Sequence, residues 1–161
     1  MEETSMNSSG CDSTGSYDQQ LHCRLERQSQ RWRANRLFEK RVQKLLVVDD
    51  DQQIREIISH FLTIQGYHVA QADNGTQALK KCFEENFDVV VTDFQLPGMN
   101  GLSLTHRIHS VVPETPVIVM SAHDSIGKNK ALNVGAADFI EKPFVIQELL
   151  AKIRMVLATE T

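Results

Sequence analysis

Val89-Val90-Val91-Thr92-Asp93, with Phe94-Gln95-Leu96-Pro97-Gly98 behind it, decides how this chain is read. Four residues suited to a buried strand run into a carboxylate and then into a turn. A carboxylate at the mouth of a buried strand costs free energy unless something engages it. The pattern recurs outward in both directions. Leu45-Leu46-Val47-Val48 runs into Asp49 and Asp50, Val117-Ile118-Val119-Met120 into Ser121, and Phe139-Ile140-Glu141 into Lys142. Three acids, a hydroxyl and a base, each placed after a strand-like segment, imply one constructed site.

The segments between these runs have helical periodicity. Ile54, Ile57, Ile58, Phe61 and Leu62 mark an apolar face over 52–65, with Asp51 as its N-cap and Gly66 as its stop. Further helices are predicted over 74–85, 102–111, 124–134 and 146–157, the fourth weakened by Gly127. Strands are predicted over 45–49, 68–72, 88–92, 116–120 and 137–141. Five β-α units with short connections imply an α/β fold, a doubly wound parallel sheet with helices on both faces. The segment His68-Val69-Ala70-Gln71-Ala72 alternates, as an edge strand should. Sites in such sheets form outside the carboxyl ends of the strands, where Asp49, Asp50, Asp93, Ser121 and Lys142 all fall.

Composition bounds the rest. The chain has 161 residues, 41% hydrophobic and 24% charged, the profile of a soluble globular protein. No apolar run approaches the roughly 20 residues of a membrane helix. Residues 1–20 are polar, with no apolar stretch that could serve as a signal peptide, so a cytoplasmic location is expected. Cys11, Cys23 and Cys82 are odd in number and far apart, which argues for reduced thiols over a disulfide framework. Three regions are expected: a disordered tail over 1–20, a basic helical extension over 21–43, and a folded domain over 44–158. From Gln20 to Lys44 there are eight basic residues and two acidic ones; from Leu45 onward there are nine basic and 15 acidic. A basic arm on an acidic domain raises the question of a partner, but a solvated helix is the favoured reading. Trp32 alone makes no stacking platform, and nucleic-acid binding is not expected.

Three converging carboxylates repel one another unless a cation neutralises them. An all-oxygen, strongly anionic cluster suits Mg²⁺. Lys142 brings a mobile positive charge and Ser121 a hydroxyl donor. A lysine, a hydroxyl and Mg²⁺ around one carboxylate are what phosphoryl transfer to that carboxylate requires. The product is an acyl phosphate on an aspartate nucleophile.

Val47-Val48-Asp49-Asp50, then Thr92-Asp93-Phe94-Gln95-Leu96-Pro97-Gly98-Met99-Asn100-Gly101, then Met120-Ser121-Ala122, then Glu141-Lys142-Pro143-Phe144 closely resembles the receiver domain of two-component response regulators. The resemblance covers residues 44–157. It implies a flavodoxin-like (βα)5 fold with strand order 2-1-3-4-5. It implies Asp93 as phosphoacceptor, with Ser121 and Lys142 binding the phosphoryl oxygens. Mg²⁺ would be held by Asp49, Asp50, Asp93 and the backbone carbonyl of Gln95. Lys142 would precede a cis Lys142–Pro143 bond. Phe139 takes the aromatic switch position where Tyr is common, and Asn100 replaces a frequent Asp. Gln95 and His123 occupy the positions that tune hydrolysis.

The resemblance further implies a two-component signalling switch that catalyses its own phosphorylation and dephosphorylation and is otherwise no enzyme. The expected donor is a histidine kinase or histidine phosphotransfer protein. Output is expected through a downstream protein target or onward phosphoryl relay, since the chain stops soon after the fifth helix. A homodimer through the face of helix 4, strand 5 and helix 5 is a further expectation. One alternative is a haloacid-dehalogenase-like phosphohydrolase using Asp49, although Gln53 and Ile54 stand where that family's pattern continues with Thr or Val. Another is a receiver-like interaction module that works without phosphorylation. His106 and His109 are read as solvated surface histidines, since no further ligand accompanies them.

Overall fold

Apolar runs at the predicted places pair into a single parallel sheet. The computed structural model describes residues 41–122 and 125–159. The predicted tail, all but the last three residues of the predicted basic extension, and His123 lie outside the described residues. Residues 41–43 carry no regular structure. The elements run β1 (Lys44–Val48), α1 (Gln52–Ile64), β2 (His68–Ala72), α2 (Gly75–Glu84), β3 (Val89–Asp93), α3 (Gly101–Val111), β4 (Val117–Ser121), α4 (Ser125–Asn133), β5 (Asp138–Glu141) and α5 (Ile146–Thr159). The strand order is 2-1-3-4-5, and every pairing is parallel. This is the flavodoxin-like arrangement anticipated from the sequence.

Alternation along each strand sends neighbouring side chains to opposite faces. Leu45, Val47, Val91, Ile118 and Met120 pack with Ile58 and Leu62 of α1 and with Leu149 and Ile153 of α5. Leu46, Val48, Val90 and Val119 pack with Ala78 and Cys82 of α2, Leu104 and Ile108 of α3, and Ala131 of α4. β3 and β4 are buried along their whole length, which is why they read as unbroken apolar runs. Each fully buried Leu or Ile stabilises by about 1.5–3 kcal/mol. β2 is half exposed, as its alternating sequence requires of an edge.

Helix starts are fixed by side-chain caps. Asp51 accepts from the Gln53 and Ile54 amides, Asn74 from Gln77, and Asn100 from Ser103. Each cap satisfies a donor that has no partner inside its helix. Gly66 and Gly135 end α1 and α4 with φ of 92° and 96°, a region that favours glycine. Among the described residues, no helix is long and apolar enough to cross a membrane.

Three strands are shifted by one residue from the sequence expectation, and the shift bears on the site. β1 begins at Lys44, whose register partner is His68. Asp93 is the last rung of β3, opposite Met120. Ser121 is the last rung of β4, opposite Glu141. Asp93 and Ser121 are therefore held by the sheet itself, not by the loops that follow it.

Candidate functional site

β1 delivers its carboxylate with four restraints. The Asp49 N–H donates to the carbonyl of Ala72 on β2 at 3.3 Å. Its main-chain oxygen accepts from Arg55 Nη1 of α1 at 2.6 Å. Its Oδ1 accepts from the Asp51 N–H at 3.0 Å and its Oδ2 from Lys142 Nζ at 3.1 Å. Asp49 is 2% exposed, whereas Asp50 beside it is exposed.

Asp93 is 8% exposed and bonded on both oxygens. Oδ1 accepts from Lys142 Nζ at 2.8 Å, and Oδ2 accepts from the Gln95 N–H at 3.0 Å. Its main-chain oxygen accepts from Thr92 Oγ1 at 3.0 Å. Gly101, at the start of α3, closes over this backbone, and its N–H donates to the Phe94 carbonyl at 2.9 Å. A Cβ on Gly101 would lie 2.2 Å from the Asp93 carbonyl oxygen.

Lys142 spans the site. Its main-chain N–H donates to the Ser121 carbonyl at 2.7 Å, while its ammonium bridges Asp49 and Asp93. The Lys142–Pro143 peptide bond is cis. Ser121 is 1% exposed. A Cβ on Gly127 would sit 3.7 Å from Ser121 Oγ and 3.7 Å from two carbons of the Phe139 ring. Helix α4 thus meets the hydroxyl and the aromatic ring at one glycine. Phe139 itself is buried against the α2–α3–α4 side of the sheet.

Burial pushes the Asp49 carboxyl above its ordinary pKa, opposed by the Lys142 charge and the Asp51 amide. Burial acts to lower the Lys142 pKa, but the hydrogen bonds and charges of Asp93 and Asp49 outweigh it and hold the ammonium above its ordinary value. Two carboxylates share one ammonium here, so the trio carries a net negative charge, to which exposed Asp50 adds. A hard divalent cation fits this oxygen-rich, anion-rich set. Among the described residues, no three His, Cys, Asp or Glu side chains are drawn together as a ready-made metal cluster. Between Asp49 and Asp93 the structure places the lysine.

The structure therefore brings Asp49, Asp93 and Lys142 into contact and places Ser121 at the end of the adjoining strand. Gln95 meets Asp93 through its main-chain N–H. His106 and His109 are exposed. Sequence reasoning missed Arg55, Thr92 and Gly101, all of which act on main-chain oxygens. The one available signal was an arginine on the first turn of the helix that follows the acids.

The response regulator receiver domain family matches residues 45–154 of the chain, and the chain belongs to that family. It is 40% identical over 114 residues to the transcriptional regulatory protein YkoG of Bacillus subtilis, covering 70% of this chain and 50% of that one. It is 37% identical over 119 residues to the response regulator MprA of Mycolicibacterium vanbaalenii, covering 73% and 52%. The chain thus spans about half the length of the curated relatives it matches. Among solved structures it resembles the response regulator protein TrrA of Thermotoga maritima, in complex with Mg²⁺ and BeF. That match has a TM-score of 0.67 and 31% identity, covering 71% of this chain and 99% of the other.

Proposed function

We propose that this chain is a phosphorylation-dependent switch of a two-component phosphorelay, with Asp93 as the phosphoacceptor. The observation that carries the reading is the bridge from the Lys142 ammonium to Asp93 at 2.8 Å and to Asp49 at 3.1 Å. It puts a mobile positive charge at a nucleophilic carboxylate beside a second acid. The donor is a histidine kinase or histidine phosphotransfer protein. An Asp93 oxygen bonds to phosphorus as the donor's N–P bond breaks, and the electron pair leaves with the imidazole nitrogen. In hydrolysis, water attacks phosphorus, inorganic phosphate departs and the Asp93 carboxylate is restored.

Lys142 follows the new charge from the carboxylate to a phosphoryl oxygen, and the Ser121 hydroxyl donates to another. Asp49, Asp50, Asp93 and the Gln95 backbone carbonyl would hold Mg²⁺, which when bound neutralises charge on the phosphoryl group. Phe139 adjusts with Ser121 across Gly127, and the α4–β5–α5 surface changes with them. That surface serves a downstream protein, onward phosphoryl relay, or a second copy of the chain. Gln95 and His123 set the acyl-phosphate lifetime. Exchanging both for other polar residues changes the dephosphorylation rate several-fold, and an unchanged rate removes the assignment. The TrrA complex with Mg²⁺ and BeF supports this chemistry by likeness. A cytoplasmic location fits the reading.

Incubating the full chain with a small phosphodonor and Mg²⁺, then locating the label by mass spectrometry, tests it. The expected result is a label on Asp93 that disappears in Asp93→Asn. A label that persists in that variant, or that sits on Asp49 as a phosphohydrolase nucleophile requires, overturns the proposal.

A further inference from the structure

The first turn of α1 is tied back to the strand it follows. Arg55 Nη1 donates to the Asp49 main-chain oxygen at 2.6 Å, and the Arg55 N–H donates to the Asp51 carbonyl at 3.0 Å. Asp51 in turn caps α1 through Oδ1 and gives its own N–H to Asp49 Oδ1. Asp49 is thus restrained at its amide by β2, at its carbonyl by Arg55 and at its carboxylate by Asp51 and Lys142. The direction of a peptide carbonyl fixes the plane of the peptide that leads into the next residue. Holding the Asp49 carbonyl therefore fixes how the backbone enters Asp50.

A half-buried carbonyl beside exposed residues could be satisfied by water, so satisfaction alone does not call for a guanidinium. What Arg55 adds is direction, because its planar donor group is carried on a helix whose own start is capped by the same turn. The Asp49 carboxylate itself is bonded by Lys142 and by the Asp51 N–H. Arg55 works on the main chain instead.

We propose that Arg55 is a positioning residue for the Asp49–Asp50 acid pair, setting the orientation of that turn and with it the affinity for Mg²⁺. The inference rests on the reading of Asp49 and Asp50 as Mg²⁺ ligands. Partners that orient metal ligands typically cost 10–100-fold in affinity when removed.

Titration of the full, unphosphorylated chain with Mg²⁺ alone, followed by calorimetry and by the backbone amide signals of residues 49–51, tests it. In Arg55→Ala the Mg²⁺ affinity falls about tenfold, the lower end of that range, and the amide signals of residues 49–51 shift before any metal is added. Arg55→Met keeps the length and the apolar packing of the side chain but donates nothing, so it shows the same loss in a folded protein. Arg55→Lys recovers part of the affinity, because a cationic N–H donor remains but without the planar guanidinium. Unchanged Mg²⁺ affinity in Arg55→Met overturns the inference, even if the melting temperature drops, since that result marks Arg55 as merely structural. If the unaltered chain binds no Mg²⁺, the phosphoacceptor reading falls and takes this inference with it. Binding by the unaltered chain with no change in the Met variant removes Arg55 alone.

Discussion

The β1–α1 corner and the β4–α4 corner stand at the carboxyl end of one sheet, on either side of β3, yet they are restrained very differently. At the first, Asp49 is bonded through amide, carbonyl and carboxylate, and α1 is capped by Asp51 and buries Ile58 and Leu62. At the second, α4 carries Gly127 within its first turn and meets Ser121 and Phe139 across the space where a side chain would stand. Its described side chains are mostly exposed, with Ala131 as an apolar anchor. On the proposed function, the contrast matches a division of labour. Groups that must hold a nucleophile and a cation in place need over-determined geometry, whereas an element that reports a change needs a low cost of movement.

The largest effect that can break this comparison comes from the bridge. Lys142→Met removes the cation between two buried carboxylates, and unpairing a buried charge costs about 3 kcal/mol or more. Asp49→Asn works in the opposite direction. Burial holds the Asp49 pKa up, so its charged form opposes folding at neutral pH. Removing that charge raises stability, read as a higher melting temperature. Thermal denaturation of both variants without Mg²⁺ measures the pair. The same sign for both would show that the corner is not held by the balance of charge described above.

Gly101→Ala is next in size. Its Cβ would sit 2.2 Å from the Asp93 carbonyl oxygen and 2.9 Å from the Phe94 Cα, and neither backbone atom can yield easily. Overpacking of this kind costs about 1–3 kcal/mol. Chemical denaturation reads the loss, and slower labelling of Asp93 by a phosphodonor reads the displacement of its backbone. The smallest effect sharpens the other corner. Gly127→Ala adds a Cβ at 3.7 Å from its neighbours, an ordinary contact, and stabilises α4 by up to about 1 kcal/mol. Amide hydrogen exchange along α4 should slow while exchange in α1 stays unchanged. Equal slowing in both helices would deny that α4 is the looser element.

Sequence made the sheet legible because β1, β3 and β4 are buried on both sides and so contain little but apolar residues. Asp49, Asp93 and Ser121 stood out for the same reason, since each polar group interrupts such a run, while Lys142 stood out as a base behind the short β5 segment. The ends of β3 and β4 were placed one residue early because apolarity marks burial, while the last rung is set by pairing. Asp93 opposite Met120 and Ser121 opposite Glu141 are polar residues that the sheet still holds. Arg55 and Gly101 were not legible as parts of the site. A guanidinium bonded to a main-chain oxygen looks, in sequence, like any arginine on a half-exposed helix. A glycine that admits the backbone of Asp93 looks like any glycine in a Pro-Gly-Met-Asn-Gly turn.

Leu45 and Leu46 are neighbours in the chain but belong to separate interiors, one shared with α1 and α5, the other with α2, α3 and α4. The sheet lies between these interiors as a partition. Substitutions confined to opposite sides of it, with no shared partners, should combine additively. Related sequences can therefore redecorate one side while the other keeps its packing. The strand ends are where the partition stops. Asp93 and Lys142, seated at that border, respond to the fit of both interiors, which makes the site a common readout for changes that otherwise ignore each other.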